Sequence, residues 1–402
     1  MPHEQTKAEK RGTPPYQLED LTFIPITTDE KLEQMWTENH QEWGARFSQE
    51  DWLQAAKERA SLDFSAKGRY KTFMMTLKDD SSQPMIGSCG FYERPAIMAT
   101  KKATISQDGK NSSVKTGVQD VLSATVCYVF VPERYRGHGY GVWMMSQLWQ
   151  YLEKSRVQFT FLYSIVGQFY DRFGWKKHRS DCLEWMIEEA AVSLPAEGSC
   201  SAWESITDNN LHRILELDAS LLREEMTSQI EDSQEETTLF AVLPEPRTFG
   251  WHRCRENFYL RQLKQDLPTQ VERYGVFLPT HKASSGSFLG ALCYITWYHE
   301  FRRDELIVTR FRYDADKDSH KAKQEALLLV QQAIEEARRW ALKKIILWNP
   351  HPALCEWTGL QSQERPNGFS CLGACQESSL AVQDHAPTSH IEWVVNEYYP
   401  WC

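Results

Sequence analysis

The sequence predicts an α/β protein whose two halves share one order of elements. Three observations predict it. Runs rich in β-branched and aromatic residues alternate with segments whose apolar residues recur about every 3.6 positions. The order strand, strand, strand, helix, strand across residues 70–165 returns across residues 273–349, a duplication of architecture and not of identity. Between the halves stands "SLPAEGSCSA" (193–202), small residues with Pro and Gly, as in a linker. The expected organisation is a polar tail over 1–20, a first domain over 21–192 and a second over 203–402.

In the first half, "LTFIPITT" (21–28) reads as a strand. Leu32, Met35, Trp36 and Trp43 then mark a helix from Asp29. Ser48 with Asp51 resembles a capping box opening a second helix to about Leu62. Two strand-like runs follow, 70–78 and 85–93, joined by the polar turn "DDSSQP". Residues 99–120, rich in Lys, Ser, Thr and Gly, read as an exposed insertion. "LSATVCYVFV" (122–131) is a strong strand, halted by Pro132, which has no N–H to give a ladder. Val142, Met145, Leu148, Trp149 and Leu152 mark a helix over 141–154. A strand at 159–165, a short helix over 167–173 ended by Gly174, and a last strand at 183–187 complete the half.

Beyond the linker, helical and irregular segments lead to strands at 273–279, 287–299 and 304–313. A long amphipathic helix (319–342), a strand at 344–349 and a late strand "HIEWVV" follow. Between the third strand and the long helix stands "DADKDSHKAK", opening on three aspartates within five residues and without glycine.

Composition removes several classes of function. The 402 residues carry a net charge of -10, which disfavours coating nucleic acid by bulk charge. No apolar run approaches the roughly 18 residues of a membrane span, and the first residues are polar; a cytoplasmic protein with no membrane partner is expected. The 10 cysteines are scattered without a Cys-x-x-Cys pair, so reduced, mostly buried thiols are expected, and no metal site. The 15 tryptophans imply broad buried surfaces.

The chemistry concentrates in "VPERYRGHGYGVWMM" (131–145). A glycine-rich turn after a strand and before a helix offers successive backbone N–H groups, and the positive end of the helix, to an anion. Glycine permits the close approach or positive φ that a Cβ would block. Arg134, Arg136 and His138 gather there in an otherwise acidic chain, and phosphate is the expected guest. A dinucleotide loop needs Gly-x-Gly-x-x-Gly, but position 142 is Val; a Walker loop needs Gly-Lys-Ser/Thr, which is absent.

Arg136-Gly137-His138-Gly139-Tyr140-Gly141 resembles the Gln/Arg-x-x-Gly-x-Gly/Ala loop of the GCN5-related N-acetyltransferases (GNAT), and the order of elements from 21 to 187 is similar to that fold. The resemblance implies a GNAT fold in the N-terminal half and a degenerate GNAT-like second half lacking the CoA loop. It implies acetyl-CoA as cosubstrate. Val129, Phe130 and Val131 would pair with its pantetheine arm, and Arg136, Gly137, His138, Gly139, Tyr140, Gly141 and Val142 would cradle its pyrophosphate. "GQFYDRFGW" is similar to the family's Tyr-x-x-x-Gly-Phe segment, with Trp175 in place of Phe, and implies that Tyr170 protonates the departing thiolate. Ser164 and Ile165 stand where many members carry asparagine.

The insertion before the central strand, "LYSIVGQFYDRFGW" and the Trp-rich second half together resemble the fungal lysine N-acetyltransferases of lysine degradation. That implies acetylation of the ε-amine of free L-lysine. Another small amine, a protein or peptide acceptor, and an inactive CoA-binding regulator are the alternatives. Glu93, Asp120 and Glu133 are candidate bases, none preferred, and Cys127 reads as packing instead of a nucleophile. Arg310 and Arg312 are candidates for the lysine carboxylate. Whether the carboxylate that ends "NEYYPWC" at Cys402 takes part as a base is left open by the sequence.

Overall fold

The computed structural model describes residues 13–79, 82, 84–105, 112–188, 203–233, 237–264, 266–268, 270–279, 292–314, 319–375 and 390–402. Most of the expected tail, the linker at 193–202 and Cys200 lie outside the described residues, as do parts of 99–120, 287–299 and "DADKDSHKAK".

The first half runs β1 (Leu21–Pro25), α1 (Asp29–Trp43), α2 (Gln49–Ser61), β2 (Tyr70–Leu77), β3 (Gly87–Ile105), β4 (Ser112–Phe130), α3 (Tyr140–Glu153), β5 (Phe159–Ser164), β6 (Lys176–Lys177) and β7 (Asp181–Met186). The second runs β8 (Glu204–Ile206), α4 (Asp208–Asp232), β9 (Thr237–Val242), α5 (Pro246–Leu263), β10 (Gly275–Leu278), β11 (Cys293–Glu300), β12 (Glu305–Arg312), α6 (Ser319–Arg339) and β13 (Lys344–Trp348). It closes with α7 (Pro352–Thr358), β14 (Gln363–Glu364), β15 (Phe369–Ala374) and β16 (His390–Trp393).

Local chemistry sets the boundaries. Thr28 and Ser48 accept hydrogen bonds from the N–H groups of Lys31 and Asp51, capping α1 and α2. Residues 167–173 are a 3-10 helix ended by Gly174 at φ +108°, where a Cβ would stand 2.7 Å from the Trp149 ring.

The duplication extends to strand pairing. β2, β3 and β4 pair antiparallel, and β4 pairs parallel with β5 across α3. In the second half β10, β11 and β12 pair antiparallel, and β12 pairs parallel with β13 across α6. Apolar side chains from both sheets and their helices fill the cores, the largest around β11, β12, β13 and α6.

Three differences from the sequence reading are structural findings. Residues 99–105 and 112–120 extend β3 and β4 as paired strands, in register from Ala96 opposite Val121 to Ile105 opposite Ser112. Their Lys and Thr residues suit a ribbon, and polarity alone hides a strand whose faces are not both in the core. Second, the segment before β10 contains β9, which pairs with β3 along Ala96–Thr100. Third, β7, expected to finish the first sheet, pairs with β13 and β14 in the second. In return β15 pairs with β5 and β6 in the first. The sheet order β1-β2-β3-β4-β5-β15-β6 and its counterpart β14-β7-β13-β12-β11-β10-β8 therefore interlock.

Candidate active site

The site forms where β4 and β5 part. Their parallel pairing covers only Ser123–Thr125 against Phe159–Phe161. Past that point β5 is held on its far edge by β15, and the near edge of β4 from Val126 onward has no strand partner among the described residues. On its other side β4 is bulged against β3 between Ser88 and Gly90, with Tyr128 in the left-handed region at φ +52°. A Cβ on Gly90 would meet the Lys71 carbonyl at 2.9 Å, so glycine lets three strands close around the bulge. The wedge between the parted strands is a cavity of about 490 Å3, lined by Val126–Val131 on one side and by Leu162, Tyr163 and Tyr170 on the other.

At the outer end, Gly137 and Gly139 take φ +87° and +84°, conformations open to glycine, and Gly139 is the N-cap of α3. The N–H groups of Tyr140, Gly141 and Val142 open the helix and have no acceptor within it. A Cβ on Gly139 would meet nothing within 4 Å, so the approach to those groups is free. Arg136 Nε donates to the Val131 carbonyl at 2.9 Å and its guanidinium reaches Glu42 at 2.9 Å, tying the turn to the strand end and to α1. Arg134 pairs with Glu38 at 2.8 Å. The buried Tyr140 hydroxyl donates to the Tyr16 carbonyl at 2.7 Å and accepts from the Tyr16 N–H. The His138 ring lies 5.9 Å from that of Tyr140. Of the turn's side chains, only Arg136 lines the cavity. What the turn offers is backbone.

Tyr170 rides on the 3-10 helix, 9% exposed, edge-on to Phe169 and Trp175. Burial, with the neighbouring Cys89 and Cys371 thiols, pushes its phenol well above the ordinary range, so it keeps its proton through neutral pH. Ser164 donates to the Gly167 carbonyl at 2.7 Å and accepts from the Val166 N–H at 3.3 Å, bracing the turn that carries Tyr170. Cys127 also lines the cavity, its thiol pushed up by burial.

Several candidates lie elsewhere. Glu93 pairs with Lys71 at 2.6 Å and Arg156 at 3.0 Å, and Asp120 with Arg223 at 2.5 Å. Neither they nor Glu133 line the cavity. Arg310 and Arg312 are buried against Asp218, at 2.8 and 2.7 Å, with Glu397 and Glu225 as further partners. Their charge is spent within the second half, so neither is free for a substrate carboxylate.

The inner end holds residues that sequence reasoning missed: Arg59 from α2, Arg255 and Tyr259 from α5, Arg302 after β11, and Tyr128 at the bulge. Burial raises the Tyr128 phenol to about 12 although Arg59 pulls it down. One signal was present in the sequence. Trp52, Ala55, Ala56 and Arg59 recur at helical spacing on the buried face of α2, and a charge on that face calls for a reason. Trp401 and Cys402 also line the cavity.

The family model described as LYC1 GNAT-like C-terminal domain matches residues 188–402, more than half of the chain. The chain belongs to that family. A model of the acetyltransferase (GNAT) domain matches residues 111–177, which hold β4, the glycine turn and Tyr170. The mixed α/β fold with GNAT domains in both halves is thus as expected, and the chain is a GNAT-type N-acetyltransferase, a class that moves an acyl group from a CoA thioester to an amine. Among curated relatives, a lysine acetyltransferase of Yarrowia lipolytica is 20% identical over 338 residues, covering 74% of this chain and 77% of its own. An uncharacterized protein of Saccharomyces cerevisiae is 22% identical over 251 residues, 58% of this chain and 57% of its own. A crystal structure of a GCN5-related N-acetyltransferase from Anabaena variabilis shares the fold with a TM-score of 0.50 and 13% identity, over 89% of this chain and 73% of its own.

Proposed function

We propose that this GNAT protein transfers acetyl from acetyl-CoA to the ε-amine of free L-lysine. The carrying observation is proximity: the edge of β4, left without a strand partner among the described residues, and the protonated phenol of Tyr170 line one cavity, and Arg136, which also lines it, leads directly into the turn whose N–H groups open α3. The turn from Arg136 to Val142 would hold the pyrophosphate by N–H groups, and Val129, Phe130 and Val131 would pair with the pantetheine amides. The lysine amine, having lost a proton, attacks the thioester carbonyl carbon. A C–N bond forms, the C–S bond breaks, Tyr170 gives its proton to the sulfur, and the proton shed by the acylated nitrogen returns through solvent to the phenolate. Strand-edge N–H groups near Val131 would meet the oxyanion. Burial raises the proton affinity of a thiolate in the same cavity as it raises that of the phenol, which keeps the two matched.

Free lysine, as against a protein, is supported by the size of the cavity. Trp251, Arg255 and Tyr259 of α5, with Trp401 and Cys402, wall one side of a cavity of about 490 Å3, a volume suited to a small molecule. The name of the Yarrowia lipolytica relative, a lysine acetyltransferase, supports lysine as the acceptor without distinguishing the free amino acid from a protein residue. The test is thiol release from acetyl-CoA with L-lysine, other amines and a basic peptide. Release with L-lysine is expected, and release with the peptide alone would replace the reading.

A further inference from the structure

The inner wall of the cavity is a cluster of guanidinium groups with too few carboxylates. Arg59 is 5% exposed, lies 5.6 Å from the Trp52 ring centre and lines the cavity. Among the described residues no carboxylate comes within salt-bridge reach of it. Arg255 donates through Nε to the Tyr259 hydroxyl at 3.2 Å and reaches Glu300 at 3.3 Å, while its Nη1 is buried without a partner. Arg302 takes the same Glu300 at 2.7 Å. Arg255 and Arg302 therefore share one carboxylate and Arg59 has none within reach among the described residues; burial works against the charge on Arg59, while the Tyr128, Tyr259 and Tyr92 hydroxyls around it favour that charge and leave its pKa raised. Burying an unpaired guanidinium costs several kcal/mol unless an anion joins it. Nothing in the two packed helices compels an arginine at position 59, since an apolar residue would complete their buried face.

The missing partner has a definable chemistry. A planar guanidinium matches a carboxylate through two parallel hydrogen bonds. The same cavity is lined by Trp43, Trp52 and Trp251, apolar faces suited to a methylene chain. Building on the acetyl-transfer reading above, we propose that Arg59, supported by Arg255, binds the carboxylate of the amine acceptor. The substrate class is then a free amino acid bearing a distal amine, not a diamine and not a lysine inside a peptide.

The test uses the full chain at saturating acetyl-CoA, with L-lysine, L-lysinamide and 1,5-diaminopentane as acceptors. The wild type should favour L-lysine in kcat/KM by roughly tenfold or more, the scale of one charged hydrogen-bonded pair. Arg59→Gln should raise KM for L-lysine roughly 10- to 100-fold, leave KM for acetyl-CoA unchanged and remove the preference over lysinamide, and Arg59→Lys should restore part of it. A wild type indifferent to the carboxylate, or an Arg59→Gln protein that keeps the preference, overturns the proposal; the first comparison stands even if the variants fold poorly. Should no amine be acetylated, the acetyl-transfer reading fails separately. Calorimetry with L-lysine then decides for Arg59: binding lost in Arg59→Gln supports it, and absence of binding to the wild type overturns it.

Discussion

Tyr170 illustrates how one side chain gains a role from its surroundings. The phenol is held by Phe169 and Trp175 and faces the cavity, protonated well past neutral pH. Tyr170→Phe removes the proton and keeps the ring. It should lower kcat about 100-fold with little change in KM for acetyl-CoA or in melting temperature, as steady-state kinetics and a thermal scan would show. Undiminished kcat would remove Tyr170 from the acid role. Asp218 is the opposite case, a buried carboxylate whose work is packing. It accepts from Arg310, Arg312 and Tyr294, which together hold it below the usual carboxylate range against the upward push of burial. Asp218→Ala leaves two buried cations and should cost about 3–5 kcal/mol in urea unfolding.

Glu300 adds a pH dependence. Burial alone would raise its carboxyl, but Arg255 and Arg302 hold it at about 2. A depressed folded-state value gives stability that is present above the unfolded value near 4.5 and lost as pH falls toward 2. The stability gap between wild type and Glu300→Gln, measured by denaturation from pH 6 to pH 2.5, should therefore narrow as pH falls through that window. A constant gap would contradict the linkage.

At the level of elements, legibility followed locality. The Ser48 cap, the Pro132 stop and the Gly174 terminus are set by neighbours in sequence, and the structure keeps each where the residues indicate. β9 and β15 escaped notice because their partners, β3 and β5, are far away along the chain and no local pattern records a partner's edge. Arg59 was missed for the same reason: the cavity it faces is built by α5 and the chain's last residues as much as by α2. The glycine turn was legible because its demand is local. Gly139 takes φ +84° at the N-cap of α3, in open space. Gly139→Val would meet little sterically, but forcing a β-branched residue into that region costs roughly 1–2 kcal/mol. The turn should relax and reorient its N–H groups. A roughly tenfold weaker acetyl-CoA affinity by calorimetry is expected, while L-lysine binding is kept.

At the level of the molecule, the exchange of last strands makes the halves mutually dependent. The first sheet has β9 along β3 and β15 between β5 and β6, both from the second half. Without them the outer edge of β5 and the extended part of β3 would present unpaired N–H and C=O groups, a template for aggregation. β5 also borders the cavity, and β15 runs along its far edge for the full length of the strand, past the point where β4 and β5 part. The second sheet, in turn, would lose β7 from the edge of β13. A chain cut at the 193–202 run, which composition marks as a boundary, should thus fail to give a cooperatively folded N-terminal half. Residues 1–192 expressed alone are expected to aggregate or to melt without a sharp transition, whereas co-expression with 193–402 should restore both solubility and acetyl transfer through the shared strands. A soluble 1–192 fragment with a sharp thermal transition and full acetyl-CoA binding would show that β15 and β9 are dispensable, and that the parting of β4 and β5 is held from within the first half.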